Sequence, residues 1–239
     1  MKVKYFQKGF NYSQDGPGNR LVVHLQGCNL RCPWCSNPEG MPLDGGTETD
    51  VGELSSFILS CKRLFSYGGG VTFTGGECSV QPAALKELLA FCKDNSIHTA
   101  IETNGTFRMP ADFYRLIDLI ICDFKHYDEK ILAEKVGCKT DYKKNISEYL
   151  VNGKEVWIRT VLINEFNASE SDAENFAKFF ADKPTANASF EFLLYHEYGK
   201  AKWLKLNKPY TVVNGFVSNE IKKYFEEVYE KHNLKITRS

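Results

Sequence analysis

No stretch of this chain approaches the ~18 consecutive apolar residues of a membrane-spanning helix. Its opening, MKVKYFQKGF, lacks the apolar core of a signal peptide. A cytoplasmic protein with no membrane partner is therefore expected. Net charge is also missing, because 30 basic and 30 acidic side chains cancel. No bulk field is left to hold nucleic acid or an anionic bilayer. There is no Pro/Ser-rich linker, internal repeat or low-complexity segment, so a single domain over residues 1–239 is expected. No Ser/His/Asp arrangement stands out, which leaves nucleophilic triad chemistry without a candidate.

What is present is an alternation of short apolar runs and amphipathic stretches. The runs RLVVHLQ (20–26), VTFT (71–74), IHTAIET (97–103), LIICDF (119–124), VWIRTVL (156–162) and SFEFLLY (189–195) read as strands. Between them, residues 50–65 place Val51, Leu54, Phe57, Ile58, Cys61, Leu64 and Phe65 on one helical face, with Asp50 and Glu53 as a capping box. Residues 81–95 open on Pro82 and carry a Leu85, Leu88, Leu89, Cys92 stripe. Residues 169–183 and 218–233 supply further helices. Such alternation means βαβ units and an α/β fold with a parallel sheet. About six units fit a partial (β/α)6 barrel, with a doubly wound sheet as the alternative. Residues 1–19 read as a hairpin or turn extension, and GMPLDGGTETD (40–50) as a short turn-rich connection, too short for an inserted ferredoxin-like domain.

Eight cysteines need explaining. Cys61, Cys78, Cys92, Cys122 and Cys138 are widely scattered, as buried thiols acting as small hydrophobes would be. Cys28, Cys32 and Cys35 instead fall within eight residues, CNLRCPWC, and in a reducing compartment such a group reads as metal-binding. A structural zinc site wants a second ligand pair at short spacing, and none is present. A four-iron cluster held by three thiolates leaves one iron open for a ligand that is not protein.

CNLRCPWC, with Trp34 before the third cysteine, resembles the signature of the radical S-adenosylmethionine (SAM) superfamily. DGPGNR (15–20), TFTGGE (72–77), ETNG (102–105), DFKH (123–126) and LLYHEYGKAKW (193–203) resemble the activating enzymes of glycyl radical enzymes, of the pyruvate formate-lyase type. The match runs along nearly the whole chain. It implies a [4Fe-4S] cluster on Cys28, Cys32 and Cys35 whose open iron binds the amino nitrogen and carboxylate of SAM. It also implies a glycyl radical enzyme as protein substrate in a transient complex, and flavodoxin or ferredoxin as electron donor.

The remaining motifs fall at the ends of strands, where barrel active sites lie. Gly75 and Gly76 let a backbone approach a ligand closely, and the Glu77 carboxylate is suited to an ammonium group. The resemblance assigns this segment to the amino group of SAM. Glu102 and Thr103 are oxygen donors beside the Asn104–Gly105 turn. Period-two alternation puts Asp123 and Lys125 on one side of their strand. Lys125 is placed to neutralise a SAM carboxylate, while Asp123, Glu102 and Thr103 together suit a monovalent cation. Arg159, flanked by apolar residues, either pairs structurally or points toward a carboxylate in the site. By resemblance His196 contacts SAM, and GFNYSQDGPGNR lines the approach of the protein substrate.

Several positions depart from that pattern. Glu102 stands where the family has aspartate, Ser36 where it tends to have histidine, Cys78 where a small apolar residue or proline is commoner, and LINEFN (162–167) where a Pro-Gly turn is usual. Two other readings stand beside this one. They are a radical SAM enzyme acting on a small molecule, of the 7-carboxy-7-deazaguanine synthase type, and a zinc-binding module without redox chemistry.

Overall fold

The computed structural model describes residues 1–237. In chain order its main elements are β1 (Lys2–Tyr12), β2 (Asn19–Leu25), β3 (Thr47–Asp50), α1 (Val51–Ser60), β4 (Gly70–Gly75), α2 (Pro82–Asp94), β5 (His98–Thr103) and β6 (Leu119–Asp123). There follow α3 (Glu129–Val136), α4 (Tyr142–Asn152), β7 (Val156–Leu162), α5 (Glu170–Ala181), β8 (Ala188–Leu194), α6 (Lys200–Lys205) and α7 (Asn219–Lys231). One eight-stranded sheet runs in the order β3-β1-β2-β4-β5-β6-β7-β8. The six strands from β2 to β8 are mutually parallel, as a partial (β/α)6 barrel requires. β3 and β8 lie at opposite edges, so the barrel stays open. No helix among the described residues is long and apolar enough to cross a membrane.

The N-terminal segment is the expected hairpin, with residues 2–12 a full strand antiparallel to β2 and Tyr12 opposite Asn19. One feature differs from expectation: the stretch read as a turn-rich connection ends in β3, which pairs Thr47 with Tyr5 and Asp50 with Lys2. Its sequence, TETD, is polar because it is a half-exposed edge, the safe composition for a strand with one free side.

The helices cover the outer face. α1 begins with the expected reciprocal cap between Asp50 and Glu53. It ends at Ser60, four residues before Leu64, which is 53% exposed, and within it Phe57 lies off the buried Val51, Leu54, Ile58 stripe and is 40% exposed. α2 buries Leu85, Leu88, Leu89 and Cys92. α5 and α7 are joined to β8 by aromatics, with Phe180 on Phe190 and Tyr229 on Phe192, each ring pair 4.8 Å apart.

Alternation decides what faces the inside of the barrel. Ala100, Leu119 and Ile121, with Trp157 against them, form a small apolar plug on the inner face. Two residues further along the same strands, the same face presents Glu102, Asp123 and Arg159. The floor is thus apolar, and the charged residues sit at the carboxyl ends above it. The turn at 14–18 closes the inside from below: the Thr72 hydroxyl donates to Asp15 O at 2.6 Å, and Arg20 Nη1 to Pro17 O at 3.2 Å.

Candidate active site

A cavity of about 220 Å³ opens at the carboxyl ends of the parallel strands. Cys28, Cys32, Cys35, Gly75, Gly76, Glu77, Glu102, Thr103, Asp123, Lys125 and Arg159 all line it. These are the sequence-derived site residues, with the exception of His196.

The cysteines sit on the loop that follows β2. Burial pushes the Cys28 thiol up, Cys35 to about 11 and Cys32 to about 12, so without a metal they hold their protons. Iron would displace those protons and form thiolates. Amide donors already point at the sulfurs: Leu30 N lies 3.4 Å from Cys28 Sγ, Asn37 N 3.4 Å from Cys35 Sγ, and Asn104 Nδ2 3.8 Å from Cys28 Sγ. Such bonds stabilise thiolates and tune a cluster's potential. Among the described residues no three His, Cys, Asp or Glu side chains are grouped to hold a metal ion. The three thiols share one cavity that no histidine or fourth cysteine lines, a donor set that suits a four-iron cluster with one open corner.

The glycines after β4 are there because nothing larger fits. A Cβ on Gly75, whose φ is +136°, would meet Leu25 O at 2.1 Å, and one on Gly76 would meet Gly27 O and Gly40 O at 2.3 Å. Their backbone is thereby pressed against the cysteine loop, with Glu77 N donating to Gly27 O at 2.8 Å.

Glu77 does a different job from the expected one. Its carboxylate is 2% exposed and accepts from Ser79 N, Ser79 Oγ, Thr103 Oγ1 and Asn104 N at 2.6 to 3.1 Å. It joins the loop after β4 to the loop after β5, and its acceptor capacity is used inside the protein. Asn104 is what that junction positions: besides Cys28 Sγ, its Nδ2 reaches Asn29 Oδ1 at 2.9 Å. Sequence reading treated Asn104 as a turn residue, and only the Asn-Gly pair gave a local signal.

The proposed cation ligands are likewise engaged elsewhere. Glu102 Oε1 accepts from Arg159 Nη1 at 2.9 Å, Asp123 Oδ2 from Lys125 Nζ at 2.7 Å, and the Thr103 hydroxyl donates to Glu77. The longer Glu102 side chain reaches a guanidinium, so the two carboxylates each hold a side-chain cation and the three oxygens do not form a cation cage. Burial, then Asp15, raises Glu102 to about 7 despite Arg159. Arg159 also pairs with Glu191 at 2.7 Å and donates to Gln14 O at 2.8 Å. Burial works to discharge Arg159, but Glu102 and Glu191 outweigh it and its pKa is raised. The two sequence alternatives for Arg159 are both realised, since it is paired and also lines the cavity.

Lys125 is set by two residues that the sequence did not mark. Tyr142, on α4, accepts from Lys125 N at 2.7 Å and donates to Asp123 O at 2.5 Å. Asn167, in the LINEFN segment, donates to Lys125 O at 2.9 Å. Burial would lower the ammonium, but the Asp123 carboxylate beside it outweighs burial, so Lys125 stays charged. His196 stands apart: its ring stacks on Tyr198 at 4.1 Å and is not among the cavity-lining side chains. Cys78 is fully buried, its thiol donating to Glu102 O at 3.3 Å, which is a packing role.

Residues 22–179 match the model of the radical SAM superfamily. The pyruvate formate-lyase-activating enzyme of Clostridium pasteurianum is 34% identical over 228 residues, which is 90% of this chain and 94% of that protein. The pyruvate formate-lyase 1-activating enzyme of Escherichia coli K12 is 31% identical, covering 82% of each chain. The crystal structure of a domain of pyruvate-formate lyase-activating enzyme from Bacteroides vulgatus superposes with a TM-score of 0.59 at 26% identity, over 71% of this chain and 98% of that one. By these matches this chain belongs to the radical SAM superfamily, in the family of pyruvate formate-lyase-activating enzymes.

Proposed function

We propose that Cys28, Cys32 and Cys35 hold a [4Fe-4S] cluster, that Lys125, Arg159 and the Gly75–Gly76 backbone hold SAM beside it, and that the protein substrate is a glycyl radical enzyme of the pyruvate formate-lyase class. The observation that carries this reading is one cavity lined by three thiols, of which Cys28 and Cys32 are buried, by the largely buried cations Lys125 and Arg159 and by a close-packed Gly-Gly backbone. A reduced cluster held by Cys28, Cys32 and Cys35 would supply the electron for reductive cleavage of SAM, and the chemistry delivered to the partner would be abstraction of a Cα hydrogen from one glycine.

The chain's own residues do the positioning. Lys125 and Arg159 remain charged at every working pH, and their forks and donors suit the carboxylate of an amino acid. Glu102 and Asp123 keep those cations in place until a ligand carboxylate competes for them. Trp34, tilted against Phe166 with ring centroids 4.6 Å apart, walls the cavity with Ile121 and Val161 and keeps water from its apolar side. Glu77, Asn104 and Tyr142 act through the backbone, fixing where the reacting groups sit. A glycine is the fitting target because it has no side chain to pass the walls. It must leave its own fold to enter, so the complex pays an ordering cost and should be transient.

The test is anaerobic reconstitution, reduction and addition of SAM, with methionine and 5′-deoxyadenosine measured by chromatography. Stoichiometric cleavage that is absent from Cys32→Ala supports the reading. Intact SAM beside a reduced cluster of full iron content would sink it.

A further inference from the structure

Between Tyr198 and Asn219 the chain carries four lysines, Lys200, Lys202, Lys205 and Lys208, and no acidic residue. In a protein whose charges otherwise cancel, this is a local positive surface. The segment crosses from the end of β8 to the cysteine loop. Trp203 Nε1 donates to Cys35 O at 2.9 Å, and Lys202 Nζ reaches Asn37 Oδ1 and Glu39 Oε1, each at 2.7 Å. Gly199 lies so close that a Cβ there would meet Cys35 O at 2.5 Å. The segment is thus a strap over the outer side of the loop that carries Cys35.

The inner contacts of the strap are satisfied, and its outer ones are not. Lys205 and Lys208 are exposed, and among the described residues neither forms an ion pair. The same segment exposes Tyr198 (82%), Leu204 (62%), Val213 (82%) and Phe216 (62%), the kind of exposed apolar side chains that mark an interaction surface. None of the strap residues lines the cavity. The reacting glycine has to enter that cavity, whereas an electron needs only a short path to a cluster ligand.

We propose that the strap is the docking surface for an acidic one-electron carrier protein, which passes its electron to the cluster through the Cys35 side of the loop. This rests on the function proposed above. The step balances simply: one electron leaves the carrier's flavin or iron–sulfur centre and one enters the cluster, with no bond made or broken. Lysines around an apolar patch steer an acidic partner into a small, short-lived contact, the usual size class for electron transfer.

The test uses the anaerobic holoenzyme and, as probe, a reduced acidic flavodoxin or ferredoxin. Cluster reduction is followed by stopped-flow absorbance, and carrier binding is measured separately. For Lys205→Glu/Lys208→Glu the second-order rate falls about tenfold or more at low ionic strength and approaches wild type near 1 M salt, where the screening length is about 3 Å. SAM cleavage after photochemical reduction stays at the wild-type rate. A variant reduced by the carrier as fast as wild type at low salt overturns the proposal. So does a variant that accepts carrier electrons normally yet, once photoreduced, no longer forms a glycyl radical on its partner, because the strap then serves the protein substrate. Wild-type enzyme that is photoreduced yet leaves SAM intact refutes the function instead, and the salt dependence of carrier binding still decides the docking.

Discussion

Two buried arginines face the inside of this barrel from its two ends, and they are solved in opposite ways. Arg20, at the start of β2, is fully buried and donates to neutral acceptors: Thr72 Oγ1 and Val71 O at 2.7 Å, with Pro17 O and His98 Nδ1 at 3.2 Å. Burial pulls it down to about 10. Arg159, at the mouth, sits between Glu102 and Glu191, and these hold it charged. One carboxylate oxygen there, Glu191 Oε1, is buried with no hydrogen-bond partner among the described residues. The closed network at the floor builds the fold, and the charge-rich, incompletely satisfied one at the mouth is available to a ligand. A buried charge is not by itself a sign of function. What separates the two is whether the partners are fixed backbone and hydroxyl groups or carboxylates that a substrate's own carboxylate can replace.

The largest effect expected from this contrast is at the floor. Arg20→Met strips the donor from four buried acceptors and should cost about 3 kcal/mol in urea unfolding, while the folded fraction binds SAM as tightly as wild type. Arg159→Lys should do the reverse. It keeps a charge between Glu102 and Glu191 but loses the fork, so SAM affinity falls about tenfold with stability changed by less than about 1 kcal/mol. Equal losses of stability and affinity in both variants would erase the distinction.

The pH responses of the two ends should also oppose each other. Glu102 is raised to about 7 from 4.5, so between those values the folded state binds a proton that the unfolded state releases. Stability from this group therefore falls as pH rises through that window, and Glu102→Gln removes that slope. Asp118, near the floor, is lowered to about 2 from 3.8, because Lys154 and the Thr99 amide outweigh its burial. Its contribution is present above pH 3.8 and is lost as pH falls toward 2. Because Asp118 is partly exposed to solvent, Asp118→Asn should change stability by only a few tenths of a kcal/mol at neutral pH. Urea midpoints from pH 2 to 8 read both.

Much of this was legible in the chain because it depends on local pattern. Six short apolar runs announced six parallel strands, and three cysteines at CxxxCxxC spacing announced a metal centre whatever the fold. Period two correctly put Asp123 and Lys125 together. What stayed hidden depends on partners far away in sequence. Trp203 meets Cys35 across 168 residues, and Tyr142 clamps the Asp123–Lys125 turn from a helix with no motif of its own. Glu77 reads as a ligand because it follows two glycines, yet Thr103 and Asn104 claim it first. β3 escaped notice because an exposed edge strand carries no apolar alternation. His196 is linked to SAM by resemblance, and in the structure its ring stacks on Tyr198 and does not line the cavity.

The most direct test of the account is an EPR experiment. Reconstituted, reduced enzyme is mixed anaerobically with SAM and a pyruvate formate-lyase-type glycyl radical enzyme. The account predicts a glycyl doublet on the partner that disappears when the partner's radical-bearing glycine is replaced by alanine. SAM cleavage at full rate with no doublet on any such partner would contradict it, and would mean that the cavity serves a different substrate.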